Sequence, residues 1–349
     1  MRRGIGWLCR PGSDGVTGGR FIARLWDPEL PGAEAAKAAR APHRPKPETM
    51  CAVLQRAPDL TLERIIDLDP FRLPLDVLFP DARVDALEPA QGWLYGWHLD
   101  FASTEVLLGV QSHLLRIGGR IILIDTCVGD CKQRPARPEW HQRSGADDLH
   151  RLAAGVHRGD VEVVFCAHLH ADHAGWNTRL QGGRWVPTLP RARYPVGRAE
   201  LRHWMAKEAR APGIVGHGVY ADSVLPILEA GLIDEVKAGA DLGPALAREA
   251  GCLHACDLSG HSPSQLGPSL PYPGGRLLLC GDAVHSPLQL PQPDWSSRFC
   301  FAGPEATRKR RALFTDLAES GDLLVPFHLR SALALRVHAE ADAWKPQGL

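Results

Sequence analysis

The stretch Val163–Asn177, VVFCAHLHADHAGWN, places three of the chain's 16 histidines and one aspartate within six consecutive positions. It begins with apolar, β-prone residues, and a short run of this kind predicts a buried strand. The polar residues that follow have the pattern H-x-H-x-D-H and are His168, His170, Asp172 and His173. We therefore expect a strand that ends in a loop rich in ionisable side chains, a position at which active sites collect.

The density of this motif favours metal binding over an ordinary surface loop. Imidazole nitrogens and carboxylate oxygens are ligands that suit Zn²⁺, and Mn²⁺, Fe²⁺ and Co²⁺ remain open alternatives. In a loop that leaves a strand, His168 and His170 can face the same way, while Asp172 and His173 turn towards a neighbouring position. The motif therefore predicts two adjacent metal ions.

Three further ligand-type residues follow apolar runs later in the chain. His261 lies in the Gly/Ser/Pro turn of DLSGHSPSQLG, Asp282 follows LLLCG, and His328 ends LLVPFH. A carboxylate can bind two cations through its two oxygens, so we expect Asp282 to bridge the ions. Taken alone, His328 could equally be a buried core histidine, but together with the other residues we interpret it as a ligand.

This ordered set of motifs resembles the metallo-β-lactamase superfamily over about residues 60–340. The resemblance implies an α/β fold, the αβ/βα four-layer sandwich, with a dinuclear site at one edge of its two sheets. It implies two divalent metal ions, most readily Zn, of which one is held by His168, His170 and His261. By the same resemblance the second ion is held by Asp172, His173 and His328, and Asp282 bridges the two.

Two supporting positions also follow from the resemblance. Asp125, in IDTCVGD, matches an aspartate at an early strand end that would orient a ligand. Ala167 stands where the family usually has Thr or Ser, which costs a supporting hydrogen bond but no ligand.

The bridging residue indicates a hydrolase branch, because the true β-lactamases carry a cysteine there. Glyoxalase II, the N-acyl homoserine lactonases and the methyl parathion hydrolases share the all-His/Asp set. The lactonases tend to have a tyrosine three residues after the bridging aspartate, whereas His285 at that place resembles the methyl parathion hydrolases. We expect a hydroxide between the metals to hydrolyse a lactone, a carboxylic ester or an organophosphate.

Several residues are candidates for contact with the substrate. Asp172 and His285 are predicted to be catalytic, and His285 could donate a hydrogen bond or a proton, or could instead be a supporting or core residue. Trp176 and Trp295 could form apolar pocket walls or belong to the core. Arg298 could orient an anionic substrate or form a structural ion pair.

Two alternative functions are open at this stage. A glyoxalase II type thioesterase would need a basic C-terminal region to hold glutathione, and only Arg330, Arg336 and Lys345 follow His328. A non-hydrolytic iron-binding redox module like the flavodiiron proteins would usually have a glutamate in the first motif and an added flavodoxin domain. Position 170 is a histidine, and no such domain is apparent.

The composition of the chain limits which binding partners and which kind of protein are expected. The 349 residues are 44% hydrophobic, and 40 Lys+Arg balance 40 Asp+Glu, so no net charge attracts nucleic acid or an anionic membrane. We expect a flexible extension over residues 1–60, with Met50 as an alternative start, and a hydrolase domain over residues 61–349. No apolar run is long enough to span a bilayer. We therefore expect a soluble, cytoplasmic protein whose partner is a small-molecule substrate, with a homodimer as an open alternative.

The nine cysteines show no framework spacing, which favours reduced thiols over disulfides. A hairpin is predicted where STEVLLGVQSHLLRI and RIILIDT are joined by Gly-Gly, and we expect it to form the sheet edge that opens the domain. Helices are predicted in GADDLHRLAAGVH, RAELRHWMAKEAR and PEATRKRRALFTDLAES, and a strand is predicted near Cys252 to Ser259.

Overall fold

The structure is a computed structural model that describes residues 53–57, 60–144, 156–242, 253–272 and 274–347. Residues 1–52, 58 and 59 of the predicted N-terminal extension and most of the predicted helix in GADDLHRLAAGVH lie outside these residues, as does Cys252. Residues 53–57, within the predicted extension, form a strand. The domain boundary near residue 60 therefore stays a prediction.

The first sheet is built from the N-terminal part of the described chain. Its main order is β1-β2-β4-β5-β6, with β3 paired to β4, and every neighbouring pair is antiparallel except β5 and β6, which run parallel. The strands are β1 Val53–Ala57, β2 Leu60–Pro74, β3 Leu99–Asp100, β4 Glu105–Ile117, β5 Arg120–Ile124 and β6 Val161–Phe165.

Two small pairs of strands follow. β7 (Thr178–Gln181) and β8 (Arg184–Pro187) form an antiparallel hairpin, and β9 (Tyr194–Gly197) pairs in parallel with β10 (Ile233–Val236).

The second sheet has the order β11-β12-β13-β14, in which β13 and β14 run parallel. Its strands are β11 His254–Asp257, β12 Leu266–Tyr272, β13 Gly275–Gly281 and β14 Leu323–Pro326. A C-terminal hairpin of β15 (Arg336–Glu340) and β16 (Ala343–Gln347) completes the described strands.

The helices are mostly short. The α-helices are α1 Leu75–Leu78, α2 Gln91–Leu94, α3 Ala171–Ala174, α4 Arg198–Arg210, α5 Leu225–Glu229 and α6 Gly303–Ser320. Three-ten turns span Val84–Ala90, Gly175–Asn177, Val215–Gly218 and Pro287–Gln289, and a π-helical turn spans Tyr220–Val224. Both α4 and α6 coincide with predicted helices. Helix α6 ends at Gly321, whose φ of 70° is the left-handed conformation that favours glycine at a helix end.

Alternating side chains sort the strands into layers, because successive residues of a strand point to opposite faces of the sheet. In β4, Leu114 packs on the side of α4 and α5, whereas Leu115 packs between the two sheets. In β13, Leu277 points between the sheets and Leu278 packs towards α6. The order is therefore helices, sheet, sheet, helix, which is the predicted αβ/βα sandwich.

The predicted hairpin is present as β4 and β5, but its predicted place at a sheet edge is wrong. Strand β2 pairs with β4 along most of its length and lies between β4 and β1. The sequence of β2, LTLERIIDLDPFRLP, lacks a regular strand pattern. Its pairing with β4 shifts register around Leu68 and Pro70, so an irregular pattern is tolerated there. Proline has no backbone N–H and is tolerated where a ladder is irregular.

The two parallel strand pairs determine where the candidate site lies. Asp125 follows β5, the H-x-H-x-D-H loop follows β6, Asp282 follows β13 and His328 follows β14. All four segments leave the carboxyl ends of their strands, so they meet at one edge of the sandwich. Among the described residues, no helix has both the length and the apolar character needed to span a bilayer.

Candidate metal centre

The seven predicted ligands converge at this edge in two groups. Within each group the potential ligand atoms lie no more than 4.8 Å from one another. We define the first group as His168, His170, His261 and Asp282, and the second group as Asp172, His173 and His328.

The first group has a geometry that suits one cation. The distances between its ring nitrogens are 2.9 Å from His168 Nε2 to His170 Nδ1, 2.9 Å from His261 Nε2 to His170 Nδ1 and 3.1 Å from His261 Nε2 to His168 Nε2. Ligands about 2.0–2.1 Å from a tetrahedral Zn²⁺ would lie about 3.3 Å apart. A neutral imidazole carries one N–H, so three nitrogens in mutual contact are better satisfied by a shared cation than by protons.

Asp282 lies between the two groups. Its Oδ1 is 3.2 Å from His173 Nε2 and 3.4 Å from His328 Nε2, while its Oδ2 is 3.5 Å from His261 Nε2. Oδ1 is buried and accepts no hydrogen bond from the described residues. Each oxygen therefore faces a different group of histidines, which is the arrangement expected of a bridging carboxylate. His328 Nε2 also lies 3.7 Å from Asp172 Oδ2.

Polar contacts behind the groups fix the orientation of the rings. Asp125 Oδ1 accepts a hydrogen bond from the backbone N–H of Ala167 at 2.8 Å, and its Oδ2 lies 3.2 Å from His173 Nδ1. His328 Nδ1 donates to the carbonyl of Gly109 in β4 at 2.7 Å, which leaves Nε2 free to face the cluster. Such contacts are typical of metal-binding histidines.

Glu200 is a supporting residue that the sequence analysis missed. This fully buried carboxylate on α4 accepts hydrogen bonds at Oε1 from the backbone N–H of Leu169 and from Trp204 Nε1, at 3.1 and 2.7 Å. Its Oε2 accepts one from the backbone N–H of Ser264 at 3.3 Å. Glu200 therefore joins the loop of His168 and His170 to the loop of His261. Its partners are distant in sequence, so only its i,i+4 spacing to Trp204 was a local signal.

The protonation of the cluster differs between its parts. Burial lowers the pKa of His168 and of His261 well below the usual range, so both rings are neutral and can offer a lone pair. Burial also opposes the charged form of His173, but the carboxylates of Asp282 and Asp125 outweigh it and raise the pKa of that histidine well above its usual value. Despite burial, the neighbouring histidines His173 and His328 hold the pKa of Asp282 well below its usual range.

His285 lies at the wall of the same site. Its Nε2 is 3.3 Å from Asp282 Oδ2, and burial lowers the pKa of its ring to about 4, so the imidazole is neutral at pH 7. Its backbone N–H donates to Gln289 Oε1 at 2.8 Å, which fixes the backbone. Both ring nitrogens are buried and have no hydrogen-bond partner among the described residues. His285 also belongs to the lining of the adjoining cavity, so its ring borders the space open to a bound molecule.

A cavity of about 230 Å³ opens onto both metal groups. Its floor includes Asp172, Asp282, His285 and other members of the cluster, and its wall is largely apolar. The apolar wall residues include Phe71, Leu73, Leu78, Leu108, Trp140, Val215 and Phe299. Two cationic residues, Arg137 and Lys207, and the half-buried His217 also line the cavity. Burial and then the nearby guanidinium of Arg137 lower the pKa of His217.

The three predicted substrate contacts lie behind or beside this lining. Trp295 is buried and packs against Phe79, with ring centroids 6.2 Å apart. Arg298 is exposed, and its backbone N–H donates to the carbonyl of Leu78 at 2.9 Å. Trp176 packs on the core beside the sheet. None of the three belongs to the cavity lining found among the described residues. Any role in substrate binding would act through their neighbours and stays a prediction.

The sequence analysis did not predict the cationic and aromatic residues of the cavity lining, and the reason is physical. Arg137 and Trp140 lie in the loop after β5, and His217 lies beyond α4, so only the folded chain brings them together. None of them belongs to a motif with metal-ligand spacing.

A family model described as the Metallo-beta-lactamase superfamily matches residues 106–328, from the start of β4 to the last predicted ligand. Comparison with curated protein sequences gives no match.

Solved structures similar to this chain share its fold at low sequence identity. The hydrolase AbOPH, described as in the beta lactamase superfamily, is 19% identical with a TM-score of 0.69, over 86% of this chain and 97% of that chain. AidC, described as a dizinc quorum-quenching lactonase, is 18% identical with a TM-score of 0.67, over 85% and 96%. An AiiA variant from B. thuringiensis with N-decanoyl-L-homoserine bound is 16% identical with a TM-score of 0.52, over 76% and 92%. These likenesses confirm the predicted fold.

Proposed function

The chain belongs to the metallo-beta-lactamase superfamily, and we propose that it is a dinuclear metal-dependent hydrolase that cleaves an ester-like bond in a small molecule. The observation that carries this proposal is the position of Asp282, whose two carboxylate oxygens face different histidine groups. The first group would hold one divalent ion and the second group the other, with Asp282 as their common ligand. The all-nitrogen and oxygen donor set favours Zn²⁺.

Two bound ions would supply a hydroxide nucleophile at neutral pH and would polarise the carbonyl or phosphoryl oxygen under attack. The protein's own residues would orient the water, assist the leaving group and exclude bulk solvent. Asp172 faces the cavity and would orient the attacking water through a carboxylate oxygen. His285 has unpartnered ring nitrogens beside Asp282 and would donate a hydrogen bond to the leaving oxygen. The apolar wall would exclude bulk water and strengthen these polar contacts.

The substrate class we propose is a lactone, a carboxylic ester or an organophosphate. The similarity in fold to AidC, a lactonase, and to AbOPH, a hydrolase, supports this class by analogy. A histidine at position 285, beside the proposed bridge, is the local feature that favours esters and organophosphates alongside lactones.

The thioesterase alternative is weakened by the surroundings of the C-terminal cations. Arg330 pairs with Asp69, Arg336 donates to Tyr272 Oη at 2.9 Å, and Lys345 lies 2.6 Å from Glu340 Oε1. All three cations that could have held glutathione therefore have partners within the chain.

The proposed function is tested by metal analysis and by a panel of chromogenic esters, lactones and phosphotriesters. We expect colourless protein with about two zinc ions per chain, activity towards at least one of the three classes, loss of activity on chelation and recovery when zinc is returned. Iron with a visible absorption band and no hydrolysis of any class would favour the redox module and contradict the hydrolase.

A further inference from the structure

The charge of the cavity lining is unbalanced outside the metal cluster. The acidic residues of the lining are Asp172 and Asp282, and both belong to the metal groups. The remaining charged residues of the lining are the cations Arg137 and Lys207. Within the described ranges, neither cation has a carboxylate oxygen within 4.0 Å. Bound metal ions would add further positive charge, so the cavity as a whole is complementary to an anion.

Arg137 is held in position by its surroundings. Its guanidinium carbon lies 5.9 Å from the ring centroid of Trp140 and 5.7 Å from that of Phe299, so two aromatic faces flank it. Its backbone N–H donates to the carbonyl of Arg134 at 2.8 Å. The buried side chain of Arg134 forms two hydrogen bonds to the carboxylate of Asp222, at 2.6 and 2.9 Å. The turn that carries Arg137 is thus anchored to the segment that carries His217.

Some other partly buried arginines of this protein have acidic partners. Among partly buried arginines, Arg72 lies 2.9 Å from Glu105, and Arg143 lies 2.8 Å from Asp67. Arg137 is also partly buried, but aromatic rings flank it and no carboxylate does. Its five N–H donors are therefore available to a planar carboxylate, which a guanidinium can bind with two parallel hydrogen bonds.

We propose that the substrate carries a free carboxylate, which Arg137 binds while the scissile ester lies against the metal groups. This inference rests on the proposed function and narrows its substrate class. The preferred substrate is an acidic ester or lactone, rather than a neutral lactone or a neutral phosphotriester. Lys207 adds a second positive charge to the cavity lining, and the apolar wall accommodates the carbon chain.

The test compares two nitrophenyl esters of nearly equal shape, mono(4-nitrophenyl) glutarate and 4-nitrophenyl pentanoate, which differ by the terminal carboxylate. We expect the zinc-loaded wild type to have a kcat/KM for the glutarate ester at least about tenfold above that for the pentanoate ester, because a hydrogen-bonded ion pair at a partly exposed site is worth about that much. Arg137→Gln should lower this ratio about tenfold, mainly through KM. Arg137→Lys, which keeps the charge and loses the planar fork, should lie between.

Two further variants serve as controls. Arg202→Gln removes a cation from an exposed position of α4 outside the lining, so it should leave the ratio unchanged. Arg298→Gln tests the arginine that the sequence singled out. An unchanged ratio in Arg137→Gln, or loss of the preference in Arg298→Gln alone, would overturn the assignment to Arg137.

The outcomes separate this inference from the proposed function. Metal-dependent hydrolysis of the pentanoate ester without any preference for the glutarate ester refutes the carboxylate site and leaves the hydrolase intact. If neither ester is hydrolysed, calorimetric titration of the metal-loaded protein with glutarate and with pentanoate shows whether the carboxylate site is present. Tighter binding of glutarate that is lost in Arg137→Gln supports the site, and equal affinities refute it.

Discussion

Asp282 Oδ2 lies 3.3 Å from Nε2 of His285, at the wall of the cavity that opens onto both metal groups. The same carboxylate turns its other oxygen to His173 and His328. Asp282, which is proposed to bridge the metals, thus contacts His285, which is proposed to assist the leaving group. Substitution of His285 tests the second of these roles while Asp282 is kept.

His285→Phe should slow substrates with basic leaving groups more than those with good ones, because nitrophenolate leaves without assistance. Loss of such assistance typically costs about 10² to 10⁴ in rate. The measurement is the ratio of kcat/KM for an aliphatic lactone to that for a nitrophenyl ester, in wild type and variant with equal metal content. A ratio that stays the same would show that His285 only packs or supports a ligand.

Glu200→Gln should weaken metal binding, since an amide nitrogen cannot accept one of the three hydrogen bonds that Glu200 receives. Loss of a contact that orients ligands typically costs about 10- to 100-fold in metal affinity. Competition with a coloured chelator measures this affinity, and Glu319→Gln on the exposed side of α6 is the matched control. Equal affinities in both variants would mean that Glu200 does not position the histidine loops.

Gly175→Ala should destabilise the loop after the histidine motif. A Cβ at this position would lie 1.8 Å from the carbonyl oxygen of Val128, a backbone atom that cannot move alone. Overpacking of this kind typically costs about 1–3 kcal/mol, and chemical denaturation measures the change in the free energy of unfolding. Gly92→Ala, where no atom lies within 4 Å of the added carbon, is the control. Equal stabilities of the two variants would contradict the close approach.

Two buried histidines outside the metal site should make the protein sensitive to acid. Burial lowers the pKa of His98 and of His113 from 6.5 to about 3. Between these values the unfolded chain binds protons that the folded chain excludes, so the free energy of unfolding falls as the pH falls below about 6.5. Well below that pH each histidine contributes about 1.4 kcal/mol per pH unit.

His113→Gln should therefore reduce the slope of unfolding free energy against pH by that amount between about pH 6 and pH 4. Urea unfolding at several pH values gives the slope, and the exposed His338 provides the control substitution, His338→Gln. An identical slope in wild type and His113→Gln would show that His113 is protonated in the folded state.

The site residues that were predicted from the sequence share one local feature. The H-x-H-x-D-H loop, Asp282 and His328 all follow short apolar strands, and a strand end is readable from neighbouring residues. The strands β5, β6, β13 and β14 were indicated by the same runs. Because parallel strands bring their carboxyl ends to one edge, the convergence of the ligands could be anticipated.

The residues that it missed depend on contacts across long stretches of chain. Glu200 receives hydrogen bonds from residues 31 and 64 positions away, and no local pattern marks either partner. Arg137 lies in the cavity lining near Arg134, which pairs with Asp222, 88 positions further along the chain. Strand β2 was missed because Asp67, Asp69 and Pro70 interrupt its apolar pattern, although a ladder to β4 tolerates them at its irregular positions.

The central claim is that Asp282 links two metal ions into one hydrolytic site, and it is tested most directly by metal content and rate in Asp282→Ala. Wild type should hold about two zinc ions per chain, whereas the variant should hold fewer and lose kcat by roughly three orders of magnitude or more towards the best substrate of the panel. Plasma emission spectrometry on dialysed protein and steady-state kinetics on the same samples give both quantities. An Asp282→Ala protein that kept near wild-type kcat would contradict the dinuclear mechanism.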